Sequence, residues 1–201
     1  MKVYSATFFI FISLTFIACN SPLPKEKIKA AILQDGDVIF RCGSSGGSRL
    51  VLYADKGGVY SHVGILIQDR TLWWVIHAAL GEHKEGGKDS VKRERLSSFL
   101  EGEKAKRAGV YRYTGNPLLA KNAAQQALEL YKRKVLFDHS YNCEDTTAMY
   151  CTELIDFVYK KVGVHLVDNE LTVLNIPGFT NKIIKPSDLQ KSSKLKLLYK
   201  Y

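Results

Sequence analysis

The chain has 201 residues, of which 46% are hydrophobic and 24% charged; this suits one globular domain with a sizeable core and excludes a disordered or fibrous protein. Its 29 basic residues against 20 acidic ones leave a net charge of +9, which favours anionic surroundings such as lipid head groups or wall polymers. The bases are interleaved with apolar and acidic residues, as in "KRERLSSFLEGEKAKR", and the sequence has no Gly-rich phosphate loop or zinc-finger spacing, so no nucleic-acid partner is expected.

Residues 1–18 carry one lysine, an apolar run from Phe8 to Ile17 and a small Ala18. That is the pattern of a secretory signal peptide, and the run is too short to cross a bilayer comfortably. Cys19 follows, and "FIAC" resembles a bacterial lipobox, whose cysteine becomes the lipidated first residue of the mature protein. Phe16 departs from the leucine commonest there, and a simple cleaved signal or an uncleaved anchor are the other two readings. Residues 19–26 then form a tether in which Pro22 and Pro24 oppose helix, and the folded domain spans 27–201. The expectation is an exported, lipid-anchored envelope protein, monomeric, whose membrane contact is that anchor.

With Cys19 lipidated, Cys42, Cys143 and Cys151 remain, an odd number that leaves at least one thiol unpaired. A Cys42–Cys143 disulfide is one pairing the sequence allows without fixing it. There is no CxxC pair, so no structural metal site is expected.

Along the chain, "KEKIKAAIL" (25–33) predicts a short helix and "GDVIF" (36–40) a strand after a Gly-Asp turn. "CGSSGGS" is a loop, and "RLVLYA" (49–54) fits helix or strand. "SHVGILIQD" (61–69) is a strand with His62, Gly64, Leu66 and Gln68 on one face and Val63, Ile65 and Ile67 on the other. After a turn at "DRT", "LWWVIHAA" (72–79) returns as its hairpin partner. "GEHKEGGKDS" (81–90) reads as a loop, "RLSSFL" as a short helix and "GVYRYT" (109–114) as a third strand. Asn116 is an N-cap and Pro117 a first-turn proline for a helix with an apolar stripe at Leu119, Ala123, Ala127 and Leu130. A second helix begins near Cys151, with its stripe at Cys151, Leu154, Ile155, Val158 and Val162 and a C-cap at Gly163. The tail offers one strand, "KII", and otherwise reads as loop. The class is α+β, a small antiparallel sheet or partial barrel packed against helices.

Cys151 starts a helix, where unpaired N–H groups and the dipole lower a thiol pKa and can hold an oxyanion. His62 and His77 fall on the two strands of one hairpin, where cross-strand side chains touch. A thiol, an imidazole and a group that orients the imidazole are what a cysteine hydrolase needs. Periodicity equally allows Cys151 as an inert member of an apolar stripe and each histidine as an ordinary strand side chain. Tyr60, Tyr150 and Tyr141 are candidates to line a cleft. His83, His139 and His165 sit among polar or turn residues and read as surface.

The motifs "GDVIF", "YSHVGILI", "VIHAA", "FDHSY" and "YCTELIDFVYK", in that order, resemble the circularly permuted papain-like amidases, the YiiX/YaeF-like branch of the NlpC superfamily. The histidine strand comes first and the cysteine helix late, which is the permuted order, over residues 33 to 163. The resemblance implies a permuted papain-like fold, Cys151 as nucleophile, His62 as general base and acid, and His77 as the residue orienting it. It implies no metal or organic cofactor, and a peptide, small-molecule or lipid substrate. Permuted members often carry glutamate where this chain has His77, and Glu153 or Asp145 are nearby carboxylates that could serve instead. The family is also related to the lecithin–retinol acyltransferases, so a lipase or acyltransferase is the second expectation, and a non-catalytic wall- or lipid-binding lipoprotein the third.

Overall fold

The computed structural model describes residues 30–81, 87–143, 146–167, 171–173 and 181–201. The signal segment, Cys19, the tether and most of the predicted 25–33 helix lie outside the described residues, as do His83 and Asp145; Ala30–Ile32 forms a single 3-10 turn.

Six strands build one antiparallel sheet: β1 (Val38–Cys42), β2 (His62–Asp69), β3 (Leu72–Ala79), β4 (Ser90–Arg95), β5 (Arg107–Tyr113) and, after the two-residue ribbon of β6 (Thr172–Val173) and β7 (Lys182–Ile183), β8 (Leu195–Lys200). Their order is β4-β3-β2-β1-β5-β8. The helices are α1 (Gly46–Ala54), α2 (Leu96–Phe99), α3 (Pro117–Lys132), α4 (Cys151–Lys160) and α5 (Pro186–Gln190). The α+β class and the β2–β3 hairpin agree with the sequence, and the ambiguous "RLVLYA" is helix α1, begun by the Ser45 side chain accepting from the Ser48 N–H. Three elements have no counterpart in the sequence reading: β4, most of which it leaves unassigned, and β8 and α5, which fall in the tail that reads as loop. Strand β4 spells "SVKRER", and only Val91 of it belongs to the core, because charged side chains suit an edge strand that must not pair further. The lysines of β8, on the opposite edge, hide its alternation in the same way. Helix α5 has only five residues, too few to show a periodic stripe.

Alternation along the strands gives the sheet two apolar faces. Val38, Phe40, Val63, Ile65, Ile76 and Val91 meet α3 through Ala120, Ala123, Ala124 and Ala127, and α4 through Leu154, Ile155 and Val158. The alanines let α3 approach closely; Gly36, at φ +91°, faces Ala120 where any Cβ would clash with the helix backbone. Ile39, Leu66, Val75, Ala108 and Val110 form the second face, covered by Phe99, Leu100 and Ala105. By the same parity Arg41, His62, His77 and Glu94 belong to this second face, so polar groups enter it at one end of the strands.

Candidate active site

The site lies where β2 begins. Arg41 of β1 stands opposite His62, and Lys92 of β4 stands opposite His77. Pairing of β2 with β3 covers Ile65 to Asp69, in register Ile65 with Ile76, and stops short of Val63. Because the Leu66 N–H donates to the carbonyl of Asp37, just before β1, the odd-numbered N–H groups of β2 face β3. The Val63 N–H therefore looks into the gap that opens as β3 diverges, close enough to the Cys151 thiol to act on its ionisation.

His62 and His77 are brought together, with Nε2 of His62 2.8 Å from Nδ1 of His77. They are not directly opposite. Continuing the register places Gly64 across from His77, so the two imidazoles meet on a diagonal, where Cα atoms stand roughly 7–8 Å apart and a long side chain must bridge. Gly64 clears that diagonal: a Cβ there would run into Val75 and approach His77 Cβ to 3.2 Å. Gly64→Ala is expected to keep the fold at a cost of about 1–3 kcal/mol while parting the imidazoles. A lowered urea midpoint together with slower Cys151 alkylation would show this; unchanged alkylation would mean that the diagonal tolerates a methyl.

Behind the histidines stands a charged group that the sequence did not single out. His77 Nε2 is 3.3 Å from Glu94 Oε2, and Lys104 Nζ donates to Glu94 Oε1 at 2.9 Å. Arg41 Nη1 lies 3.9 Å from Glu94 Oε2 and donates to the Phe99 carbonyl at 2.9 Å. The Phe99 ring, fully buried on α2, is the common platform: the Arg41 guanidinium stacks 4.2 Å above its centroid, and the rings of His62 and His77 pack against it at 5.8 and 5.2 Å. The one signal in the sequence was "SVKRER", where strand parity puts Glu94 on the His77 face two residues past Lys92.

Burial dominates the electrostatics of the pair. The Cys151 thiol is pushed up to about 11, since burial outweighs the hydrogen bonds from the N–H groups of Val63, Thr152 and Cys151 and the positive charge of Arg41. The helix end works in the expected direction but loses to desolvation, which corrects the expectation of a low thiol pKa. Cys151 and His62 both keep some surface open to solvent, yet the protein around them is dense enough to govern their ionisation. Burial, followed by the charge of Arg41, of His77 whenever that ring is protonated, and of Lys104, holds the His62 imidazole well below its ordinary range. Burial also pushes the Glu94 carboxyl up, but the bonds and charge of His77 and Lys104 overcome it and hold the group down at about 2. At neutral pH the resting site is a neutral thiol, a neutral His62 imidazole and an anionic Glu94.

Tyr60 and Tyr150, expected to bind substrate, are placed elsewhere. Tyr60 is 5% exposed and stacks on Phe40 in the core, its hydroxyl against Gly109. Tyr150 is 3% exposed; its hydroxyl accepts from the Ile184 N–H and bonds the Cys143 thiol, each at 2.9 Å. Apolar packing claims both rings, and Tyr150 ties the start of α4 to the segment after β7. Tyr141 is the tyrosine near the chemistry: burial and then the Cys151 charge raise its hydroxyl pKa. Its backbone sits at φ +52°, in a loop shaped by Asp138 accepting from Ser140 and Asn142. Glu153, weighed as an orienting carboxylate, accepts from the Tyr150 N–H at 3.3 Å and caps α4 instead. Cys42, Cys143 and Cys151 are all free thiols, so the Cys42–Cys143 pairing does not occur. His139 and His165 are exposed, as expected. Among the described residues no group of three or more His, Cys, Asp or Glu side chains is placed to hold a metal ion, and no helix is long and apolar enough to cross a membrane.

Residues 32–199 match the family model described as "Permuted papain-like amidase enzyme, YaeF/YiiX, C92 family". A comparison with curated proteins finds no match. Among solved structures the chain is similar to the crystal structure of the metalloprotein YiiX from Escherichia coli O157:H7, with a TM-score of 0.68 and 19% identity, covering 84% of this chain and 97% of that one. At that identity the likeness is one of fold, and it is the permuted papain-like fold that the motif order implied.

Proposed function

The chain belongs to the permuted papain-like amidase family, and on that premise we propose that it is a cell-envelope cysteine hydrolase that cleaves an amide bond in a cell-wall peptide or an N-acyl amino compound. One observation carries the reading: the Cys151 thiol lies close enough to the N–H of Val63, the residue next to His62, for that N–H to favour its anion, while His62 is itself bonded at 2.8 Å to His77. Because the resting thiol is neutral, His62 takes its proton as the sulfur attacks the carbonyl carbon. The negative charge passing to the carbonyl oxygen is met by N–H groups at the first turn of α4. His62 then returns the proton to the leaving amine, the C–N bond breaks and a thioester remains. Water, deprotonated by His62, attacks that thioester and releases the acid and the thiol. Removal of residues 1–18 and lipidation of Cys19 would tether this domain to the membrane, where its net charge of +9 suits an anionic surface.

Incubation with wall-peptide fragments and with N-acyl amino compounds, followed by intact-mass analysis, is expected to trap the acyl half of a substrate on Cys151. The adduct should vanish in Cys151→Ala, and a metabolic lipid label should mark the wild type but not Cys19→Ala. Turnover of ester lipids with no amide cleavage would assign the protein to acyl transfer. Hydrolysis that survives in Cys151→Ala would overturn the reading.

A further inference from the structure

We propose that Glu94 is a positioning residue that fixes the tautomers of both histidines and so leaves His62 Nδ1 as the base facing Cys151. The inference rests on the hydrolase reading above and concerns how its base is held in the working form.

Three nitrogen groups converge on the Glu94 carboxylate: Lys104 Nζ at 2.9 Å, His77 Nε2 at 3.3 Å and Arg41 Nη1 at 3.9 Å. An ionised carboxylate only accepts. At 3.3 Å the His77 contact is a charge approach rather than a formed hydrogen bond, so it is the carboxylate's charge that sets its sign. A lone pair on His77 Nε2 would face the lone pairs of Glu94, whereas an N–H there faces them favourably. His77 is therefore protonated at Nε2, and in the neutral form that the proposal assigns to it at neutral pH its lone pair is at Nδ1. That lone pair lies 2.8 Å from His62 Nε2, which must then bear the proton. His62 in turn keeps its lone pair at Nδ1, the ring atom not engaged by His77. Each step follows from one carboxylate two bonds back, and reversing the first reverses all of them. In the reversed state His62 would present an N–H to the thiol and could not take its proton.

The surrounding charges explain why a carboxylate is used. Arg41 and Lys104 both disfavour an imidazolium at His62, and Glu94 is the anion that offsets them on this face. Glutamine at 94 would have a single amide oxygen for three donors.

Nitrogen-15 NMR of the imidazoles reads the tautomers without substrate. In the wild type at neutral pH both His62 and His77 are expected as the Nε2–H form. In Glu94→Ala the His77 signal should move towards the Nδ1–H form or average, and Cys151 alkylation at neutral pH should slow about tenfold or more, as for loss of a hydrogen bond to a charged group. Glu94→Asp should restore part of the rate. A structural role alone would lower the melting temperature and leave the tautomers as they were, which would overturn the proposal. So would an Nδ1–H form of either ring in the wild type, a result that stands even if the variants fail to fold. If His62→Ala leaves alkylation unchanged, the hydrolase reading fails; if His62→Ala slows it but the tautomers ignore Glu94, only this inference fails.

Discussion

The rate of Cys151 alkylation by iodoacetamide is expected to climb with pH and to level off only near 11, well above the ordinary thiol value of 9.0. Burial is the cause, and the N–H groups of Val63, Thr152 and Cys151 reduce the shift without reversing it. At pH 7 roughly one thiol in ten thousand would be ionised unaided, so a useful rate at neutral pH requires proton removal during attack. His62→Ala should therefore cost about 10²–10⁴ in turnover at neutral pH and progressively less as the pH approaches 11. Cys151→Ala should abolish turnover at every pH. The same shift bears on stability. Between 9.0 and about 11 the folded thiol keeps a proton that the unfolded chain has lost, so this group's contribution is lost as pH rises above 9.0. A plateau in alkylation below pH 8 would instead indicate a preformed thiolate–imidazolium pair. Label on Cys143 or Cys42 with Cys151 silent would remove the nucleophile from the scheme.

What the sequence made legible follows how local each signal is. The parity of "SHVGILI" put His62 on one strand face, and the return strand brought His77 to it, because a hairpin is fixed by a short turn. Cys151 was visible as a helix start for the same reason. The gap that admits its thiol beside Val63 was not, since it depends on where β3 stops pairing with β2. Glu94 sits on a strand whose charged residues, correct for a sheet edge, lacked any apolar alternation. Arg41 and Lys104 reach Glu94 from β1 and from the turn before β5, contacts between residues 53 and 10 positions apart in sequence that no local pattern encodes. Tyr60 and Tyr150 failed as cleft residues because adjacency in sequence to His62 and Cys151 says nothing of which way a ring points. The thiol pKa failed for a related reason: the helix end is local, whereas burial is a property of the whole packing.

Arg112→Ala is expected to destabilise the fold by about 3–5 kcal/mol, more than Asp37→Ala does. Asp37, the turn residue of "GDVIF", is 2% exposed and receives Arg112 through two bonds, Nε to Oδ1 at 2.8 Å and Nη2 to Oδ2 at 2.7 Å. This fork matches the planar guanidinium to the carboxylate, and Arg112 Nη2 also reaches the Ile32 carbonyl at 2.6 Å. The pair thus ties the segment before β1 across to β5. The two deletions are unequal because the partners differ in access to water. The Arg112 side chain is 27% exposed, so a guanidinium without Asp37 can be hydrated. A carboxylate without Arg112 stays buried and keeps the hydrogen bond from the Gln34 N–H at 2.8 Å. Leaving a buried charge uncompensated is the costlier error. Urea midpoints of the two single variants and the double variant give both the order and the coupling. Equal losses, or a larger loss for Asp37→Ala, would show that the guanidinium contributes by packing rather than by neutralising Asp37. Because this pair lies at the start of β1 and Arg41 near its end, the tautomers of His62 and His77 should be unchanged in any variant that remains folded.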